Sequence, residues 1–308
     1  MAEAVFPIRS GDYRAEVVSV GAGLRKLERT VAGRPWPLTE TWQAGSRPPL
    51  SAGLVLAPWP NRIYNGRFTF AGVEHQLEIT EPARYNAIHG LVRRREWTVE
   101  EHVEHRVVQS IEIGLQQGWP YPLRLTLTYE IGPDGLTVTT TATNIGSVPA
   151  PYGFGMHAFM RAGDAPLDVC TLQLPAGVFL PLDPDYLVPT GGSLPVEGTG
   201  FDFRTARPVK GVWLDTPFSA LVSELDGRVR AALRPPKGPT TILWVEPRFR
   251  WLQVFTADPA HGQAYPGRGR ALAVEPMTCP PDAFNSGIDV IVLDPGKVWR
   301  GSWGMTCV

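Results

Sequence analysis

The chain has 308 residues, a formal net charge of -1 and only 19% charged side chains. That balance offers neither a basic stripe for nucleic acid nor an acidic tail, so the expected partner is small and not highly charged. Gly (32) and Pro (31) together make up about a fifth of the residues, above the usual eighth but short of disorder, which indicates many turns.

The three cysteines, Cys170, Cys279 and Cys307, are odd in number and widely spaced. They suggest neither a disulfide framework nor a zinc ribbon, and no metal is expected. The N-terminus lacks a basic start followed by a long apolar run, and no apolar stretch approaches about 18 residues. A soluble, unexported, cytoplasmic protein with no membrane segment is expected. The length permits two domains, but all-β chains of this size often form one, and a single domain over residues 1–308 is expected.

In chain order, Arg67-Phe68-Thr69-Phe70 and Val73-Glu74-His75 form a hairpin about Ala71-Gly72. His102 and His105 suggest metal only weakly, because on a strand they face opposite sides. Leu123, Leu125, Leu127, Tyr129 and Ile131 alternate with polar residues, and after the turn signal Pro133-Asp134-Gly135 the run Leu136 to Thr143 is β-branched and alternating. These predict a second hairpin. The Pro- and Gly-rich passage 180–200 reads as a packed surface loop anchored by Phe179, Leu182, Tyr186, Leu187 and Val188. Trp299, Gly301, Trp303, Met305 and Cys307 share one face of a closing strand. No window carries a 3.6-residue stripe longer than about two turns. The fold class is all-β: a sandwich of large antiparallel sheets or a barrel.

Candidate site residues are polar groups set among apolar neighbours beside turns. Ala271-Leu272-Ala273-Val274 reads as an apolar strand that gives way to a loop after Glu275-Pro276. A carboxylate at that junction is either a desolvated base or a loop cap. Arg62, in Ala57-Pro58-Trp59-Pro60-Asn61-Arg62-Ile63, offers planar multi-donor hydrogen bonding or serves a buried ion pair. His89, in Asn86-Ala87-Ile88-His89-Gly90, and His157, in Gly155-Met156-His157-Ala158-Phe159, are histidines in apolar settings, either core or functional. Asp215, in Leu214-Asp215-Thr216-Pro217-Phe218, is a carboxylate in a turn. Arg93-Arg94-Arg95 is a basic cluster, read as a solvated rim or a phosphate contact. Trp59, Trp119, Trp244 and Trp251 are core residues or stacking platforms for a sugar. No nucleotide-binding motif is present.

Five pieces in order resemble the aldose 1-epimerase (galactose mutarotase) family. They are Pro60-Asn61-Arg62-Ile63 with Asn65-Gly66-Arg67-Phe68; Asn86-Ala87-Ile88-His89-Gly90; Gly155-Met156-His157; Phe201-Asp202-Phe203-Arg204 leading to Leu214-Asp215-Thr216-Pro217-Phe218; and Val274-Glu275-Pro276 with Ala283-Phe284-Asn285. The likeness is nearest to a bacterial branch carrying Ala-Pro-Trp-Pro-Asn-Arg-Ile and Glu-Pro-Met-Thr. It implies a galactose mutarotase-like β-supersandwich, a monosaccharide substrate, no cofactor, and a monomer or homodimer. By position it implies Glu275 as general base, His157 as general acid, and Arg62, His89 and Asp215 as sugar-binding residues. Ala158 stands where the family often has Pro, and Met277 where it commonly has Gln.

The implied activity is interconversion of the α and β anomers of a free hexose by acid/base ring opening. Three alternatives stay open on these residues: a non-catalytic carbohydrate-binding or regulatory protein on the same fold, a glycoside hydrolase or lyase using Glu275 with Asp215, and a hexose-6-phosphate 1-epimerase drawing on Arg93 to Arg95.

Overall fold

A computed structural model describes residues 3–308. It is an antiparallel β structure as expected, and among the described residues the one α-helix is the single turn Ala283–Ser286. Both predicted hairpins form. Arg67–Phe70 pairs with Val73–Gln76 about Ala71 and Gly72, both at positive φ (50° and 79°), the twist that two-residue hairpins favour. Leu123–Gly132 pairs with Gly135–Asn144 from Gly132 opposite Gly135 onward.

These last two strands lie within a nine-stranded sheet, where Gly135–Asn144 also pairs with the closing strand Val298–Cys307. A second sheet of eight strands includes Asp215–Leu221, Trp251–Ala257, Ala271–Met277 and Gly155–Met156 as successive neighbours. A four-stranded sheet, Val5–Ser10 to Arg34–Pro37, completes the framework. One apolar cluster draws on all three, with Val17 and Leu27, Leu125 and Leu127, and Leu252, Val254 and Val274 among its members.

The eight-stranded sheet is covered on both faces. Every residue of Trp251–Ala257 and Ala271–Met277 is buried, so these strands are mostly apolar without a wet and a dry face, and Gln253, Thr256 and Glu275 are buried polar exceptions. Leu272 and Val274 point into the main core, whereas Ala271 and Ala273 join a second cluster with Phe255 and Ala257 on the other face. By the two-residue period of a strand, Glu275 lies on that second face. Gln253 directly opposes it, and Asp215 opposes Phe255 one strand further on.

Three details differ from the sequence reading. Glu275 sits inside its strand, which runs on to Met277, rather than at its junction with a loop. His105 lies in the turn after Thr98–Val103, not on the strand. The 180–200 passage is anchored by Leu180, Leu187 and Val196, while Tyr186 is exposed and meets Tyr64 edge to face.

Candidate active site

Glu275 and His157 meet because the sheet is interrupted beside Pro276. The N–H of Val274 donates to the Ala158 carbonyl and that of Thr278 to the Phe154 carbonyl, at 2.9 Å each. The position between them is Pro276, which has no N–H to give. The Met156 carbonyl instead accepts the Ala158 N–H at 2.9 Å, closing a three-residue turn around His157. Pairing therefore lapses between Gly155–Met156 and Phe159–Met160, and His157 stands out from the break. Its Nε2 lies 3.5 Å from Glu275 Oε1.

His89 is held from the opposite wall. It has a positive φ of 63°, and the next residue, Gly90, has a φ of 66° with room for no Cβ, which would fall 2.0 Å from the Ala57 carbonyl oxygen. The His89 N–H donates to the Asn61 carbonyl (2.8 Å), and the Asn61 N–H donates back to His89 Nδ1 (3.2 Å). That second bond fixes Nδ1 as the acceptor, so a neutral His89 carries its proton on Nε2. The imidazoles of His89 and His157 meet edge to face, 5.5 Å between centroids.

Arg62 begins the short strand Arg62–Tyr64 and is clamped by Glu81 through Nε to Oε2 (2.8 Å) and Nη2 to Oε1 (2.9 Å). Asn86 Nδ2 also donates to Glu81 Oε2, at 3.1 Å. Asp215 is the first residue of its strand rather than a turn residue, and its Oδ1 accepts from Gln253 Nε2 at 2.6 Å. All five candidate residues line one cleft of about 250 Å³, together with Asn61, Thr80, Glu81, Phe255 and Gln263.

Burial dominates the electrostatics. It pushes the Glu275 carboxyl well above its ordinary range, Asp215 adds to the rise, and Arg62 opposes it. His157 is pushed down to about 3 by burial, with Arg93 and Arg62 adding repulsion. His89 falls well below its usual value for the same leading reason, with His157 and the arginines adding to it. The Asp215 carboxyl is raised by burial against the pull of Arg62 and the Gln253 hydrogen bond. Arg62 loses to burial but gains more from Glu81, Asp215 and Glu275, so it is held above its ordinary value. Glu275 Oε2, His157 Nδ1 and Gln253 Oε1 are buried with no hydrogen-bond partner, an arrangement suited to a ligand rich in hydroxyls.

Other candidates fall outside the cleft or change character. Trp59, Trp119, Trp244 and Trp251 are all buried, at most 6% exposed, and none lines the cleft, so they are core residues and not stacking platforms. Arg95 is an exposed rim residue as expected, but Arg93 is buried and lines the cleft beside Arg94. Glu81 and Gln253 went unnoticed in the sequence. Each acts through a partner, and neither sits in a pattern that names that partner. No group of three or more His, Cys, Asp or Glu side chains with the geometry of a metal site occurs among the described residues, and no helix among them is long and apolar enough to cross a membrane.

A family model described as aldose 1-epimerase matches residues 5–306. The chain belongs to the aldose 1-epimerase family. Among its relatives, the uncharacterized Escherichia coli K12 protein YihR is 33% identical over 294 residues, covering 95% of this chain and 90% of that protein. Galactose mutarotase of Rattus norvegicus is 32% identical over 165 residues, covering 51% and 46%. In fold, this aldose 1-epimerase family member superposes on a C. elegans GalM/aldose epimerase homologue with a TM-score of 0.88 at 21% identity, covering 100% and 99% of the two chains.

Two tests follow from this geometry. Glu81→Gln leaves the buried Arg62 without its ionic partner and is expected to lower unfolding stability by about 1–3 kcal/mol in urea titration; unchanged stability would show that Arg62 is held by other groups. Pro276→Ala restores a donor facing the Met156 carbonyl, and amide exchange at Ala158 is expected to accelerate in a hydrogen-exchange measurement, whereas equal protection would count against the turn.

Proposed function

We propose that the cleft is the active site of an aldose 1-epimerase that interconverts the α and β anomers of a monosaccharide, with Glu275 and His157 as the catalytic pair. The observation that carries this reading is their approach to 3.5 Å in a buried cleft, each with a second polar atom left unpartnered.

In this reading the two groups share one proton. Burial favours keeping it on Glu275, with His157 neutral; Arg62 favours the other placement by stabilising the Glu275 carboxylate. These two distributions are the end and the start of one half-reaction. With His157 protonated and Glu275 ionised, Glu275 takes the proton from the C1 hydroxyl while His157 gives one to the ring oxygen. The C1–O5 bond breaks and C1 becomes an aldehyde. Glu275 then carries the proton and His157 is neutral, the arrangement that burial favours. After rotation about C1–C2 the same two transfers run backward on the other face, and the pair returns to its starting state.

Arg62 and the Nε2–H of His89 supply donors for sugar oxygens, and Asp215 accepts from hydroxyls. Because Arg62 is already clamped by Glu81, little reorganisation accompanies charge development. The setting proposed for the protein is the cytoplasm, and no step in this scheme needs a cofactor.

Polarimetry of freshly dissolved α-D-glucose and α-D-galactose tests the reading. The protein is expected to accelerate the approach to equilibrium, and Glu275→Gln to lower kcat by about 10²- to 10⁴-fold with sugar affinity little changed; a variant with full kcat would overturn the assignment. Asp215 helps Glu275 keep its proton, so in Asp215→Asn that proton leaves at lower pH. The limb of the kcat profile set by the shared proton is therefore expected to move toward lower pH, in addition to any loss of affinity. A limb that stays or moves upward would exclude this coupling.

A further inference from the structure

Arg93 is a buried charge lining the cleft that the epimerase chemistry leaves unused. It is 9% exposed, and among the described residues it forms no ion pair. Its one side-chain hydrogen bond there runs from Nη1 to Ser51 Oγ at 3.2 Å. A buried cation without an anion is costly by several kcal/mol as an order of magnitude, so such groups normally have a counter-charge. Burial, then Arg94, then Arg47 push Arg93 down to about 10, with only the Glu81 carboxylate, itself clamped by Arg62, pulling the other way, and Arg93 stays charged at neutral pH.

Ser51, Arg93 and Arg94 line the sugar cleft and also a second hollow of about 390 Å³ that Arg47 lines as well. These three residues are thus a wall shared by both spaces. The three carboxylates of the cleft are committed or distant in role: Glu81 is taken up by Arg62 and Asn86, Asp215 by Gln253, and Glu275 faces His157. In the second hollow the carboxylate is Glu3, which accepts the Gly45 N–H at 3.1 Å. Leu50 and Ser51 both adopt positive φ (49° and 61°), a strained pair of non-glycine residues that brings Ser51 to this wall.

We propose that Ser51, Arg93, Arg94 and Arg47 form an anion subsite for a tetrahedral oxyanion, a phosphate or sulfonate group, carried on the aldose outside its ring. The inference rests on the epimerase reading of the cleft and names its substrate class. Three arginines and a hydroxyl lining one hollow suit an anion with three terminal oxygens; a carboxylate, with two, is satisfied by one guanidinium fork. An oxyanion here also offsets the repulsion that Arg93 exerts on His157, which favours the protonated His157 that ring opening uses.

Calorimetric titration at constant ionic strength separates the possibilities, with D-glucose, its 6-phosphate, its 6-sulfonate and D-glucuronate as probes, on the wild-type protein and on Arg94→Gln and Arg47→Gln. Both substituted residues are exposed, so the fold is not at risk. The 6-phosphate or the 6-sulfonate is expected to bind at least tenfold more tightly than glucose, and the better of the two identifies the group. That advantage is expected to shrink about tenfold in Arg94→Gln and by a smaller factor in Arg47→Gln, and inorganic phosphate should compete where chloride does not. Equal affinity for glucose and both tetrahedral derivatives, or an advantage untouched in both variants, would overturn the subsite; a preference for glucuronate would overturn the tetrahedral assignment. Accelerated mutarotation of neutral sugars with no preference for anions would leave the epimerase reading standing and remove the subsite. Anion-selective binding without acceleration of any probe would do the reverse.

Discussion

The cleft depends on a donor that is missing. In a continuous antiparallel sheet, the strand Ala271–Met277 would offer an N–H from position 276 to the neighbouring chain, and the neighbour would lie flat against it. Pro276 has none to offer, so the Met156 carbonyl turns to Ala158 and the ladder opens at His157 with its register unchanged on either side. Strand breaks of this kind re-aim a side chain at little cost, because the carbonyl that loses its ladder partner finds another two residues away. A proline inside a buried strand is ordinarily a defect. Here it places an imidazole within reach of a carboxylate on the adjacent strand.

The second constraint is the field inside the cleft. Glu275, Asp215 and Glu81 set three carboxylates around one guanidinium, and Arg62 is anchored to Glu81 alone by two direct bonds. Its remaining charge acts at longer range on Asp215 and Glu275, opposing but not cancelling the rise that burial imposes on both carboxyls. His89 receives the opposite treatment. Its Nδ1 is committed to a backbone N–H, and burial, with His157 and the arginines adding to it, opposes a second proton, so it is a neutral donor of fixed tautomer. Two histidines 5.5 Å apart are thereby given different roles by their neighbours.

Much of this was legible in the sequence, and the limits have physical causes. The hairpins at Ala71-Gly72 and Pro133-Asp134 declared themselves because each strand has one wet and one dry face, and the turns carry their own chemistry. The central strands of the eight-stranded sheet are dry on both faces, so alternation vanishes there. Glu275 was visible as the lone charge in such a run, but its place within the strand was hidden by Pro276, which ordinarily marks an end. The Arg62–Glu81 pair spans 19 residues and the Asp215–Gln253 bond 38, distances at which local patterns carry no information about partners. Arg93 is separated from its neighbours for a related reason: three consecutive arginines carry no local sign of which one is buried, and only the chain path places the first of them beside Gly21, whose Cβ would lie 2.5 Å from the Arg93 carbonyl oxygen.

The positions that depart from the family pattern lead to a further step. Met277 shares the face of Glu275 by strand period, yet it packs with Leu180 and Trp251 in a separate apolar cluster and does not line the cleft. Ala158 is likewise buried, its N–H engaged in the turn beside Pro276 and its carbonyl by the Val274 N–H of the adjacent strand. Neither departure therefore alters the surface that a sugar meets. What varies that surface is loop: Leu50 and Ser51, Thr80 and Glu81, Arg93 and Arg94, and Gln263, each outside the large sheets. The sheet carries Glu275, Gln253 and Asp215 in fixed register, so acid/base geometry is set by strand pairing, while the loops across the cleft can change their charge without disturbing it. Arg93, on that loop side, lies outside the strand pairing that fixes Glu275, Gln253 and Asp215, and reaches His157 only through its charge.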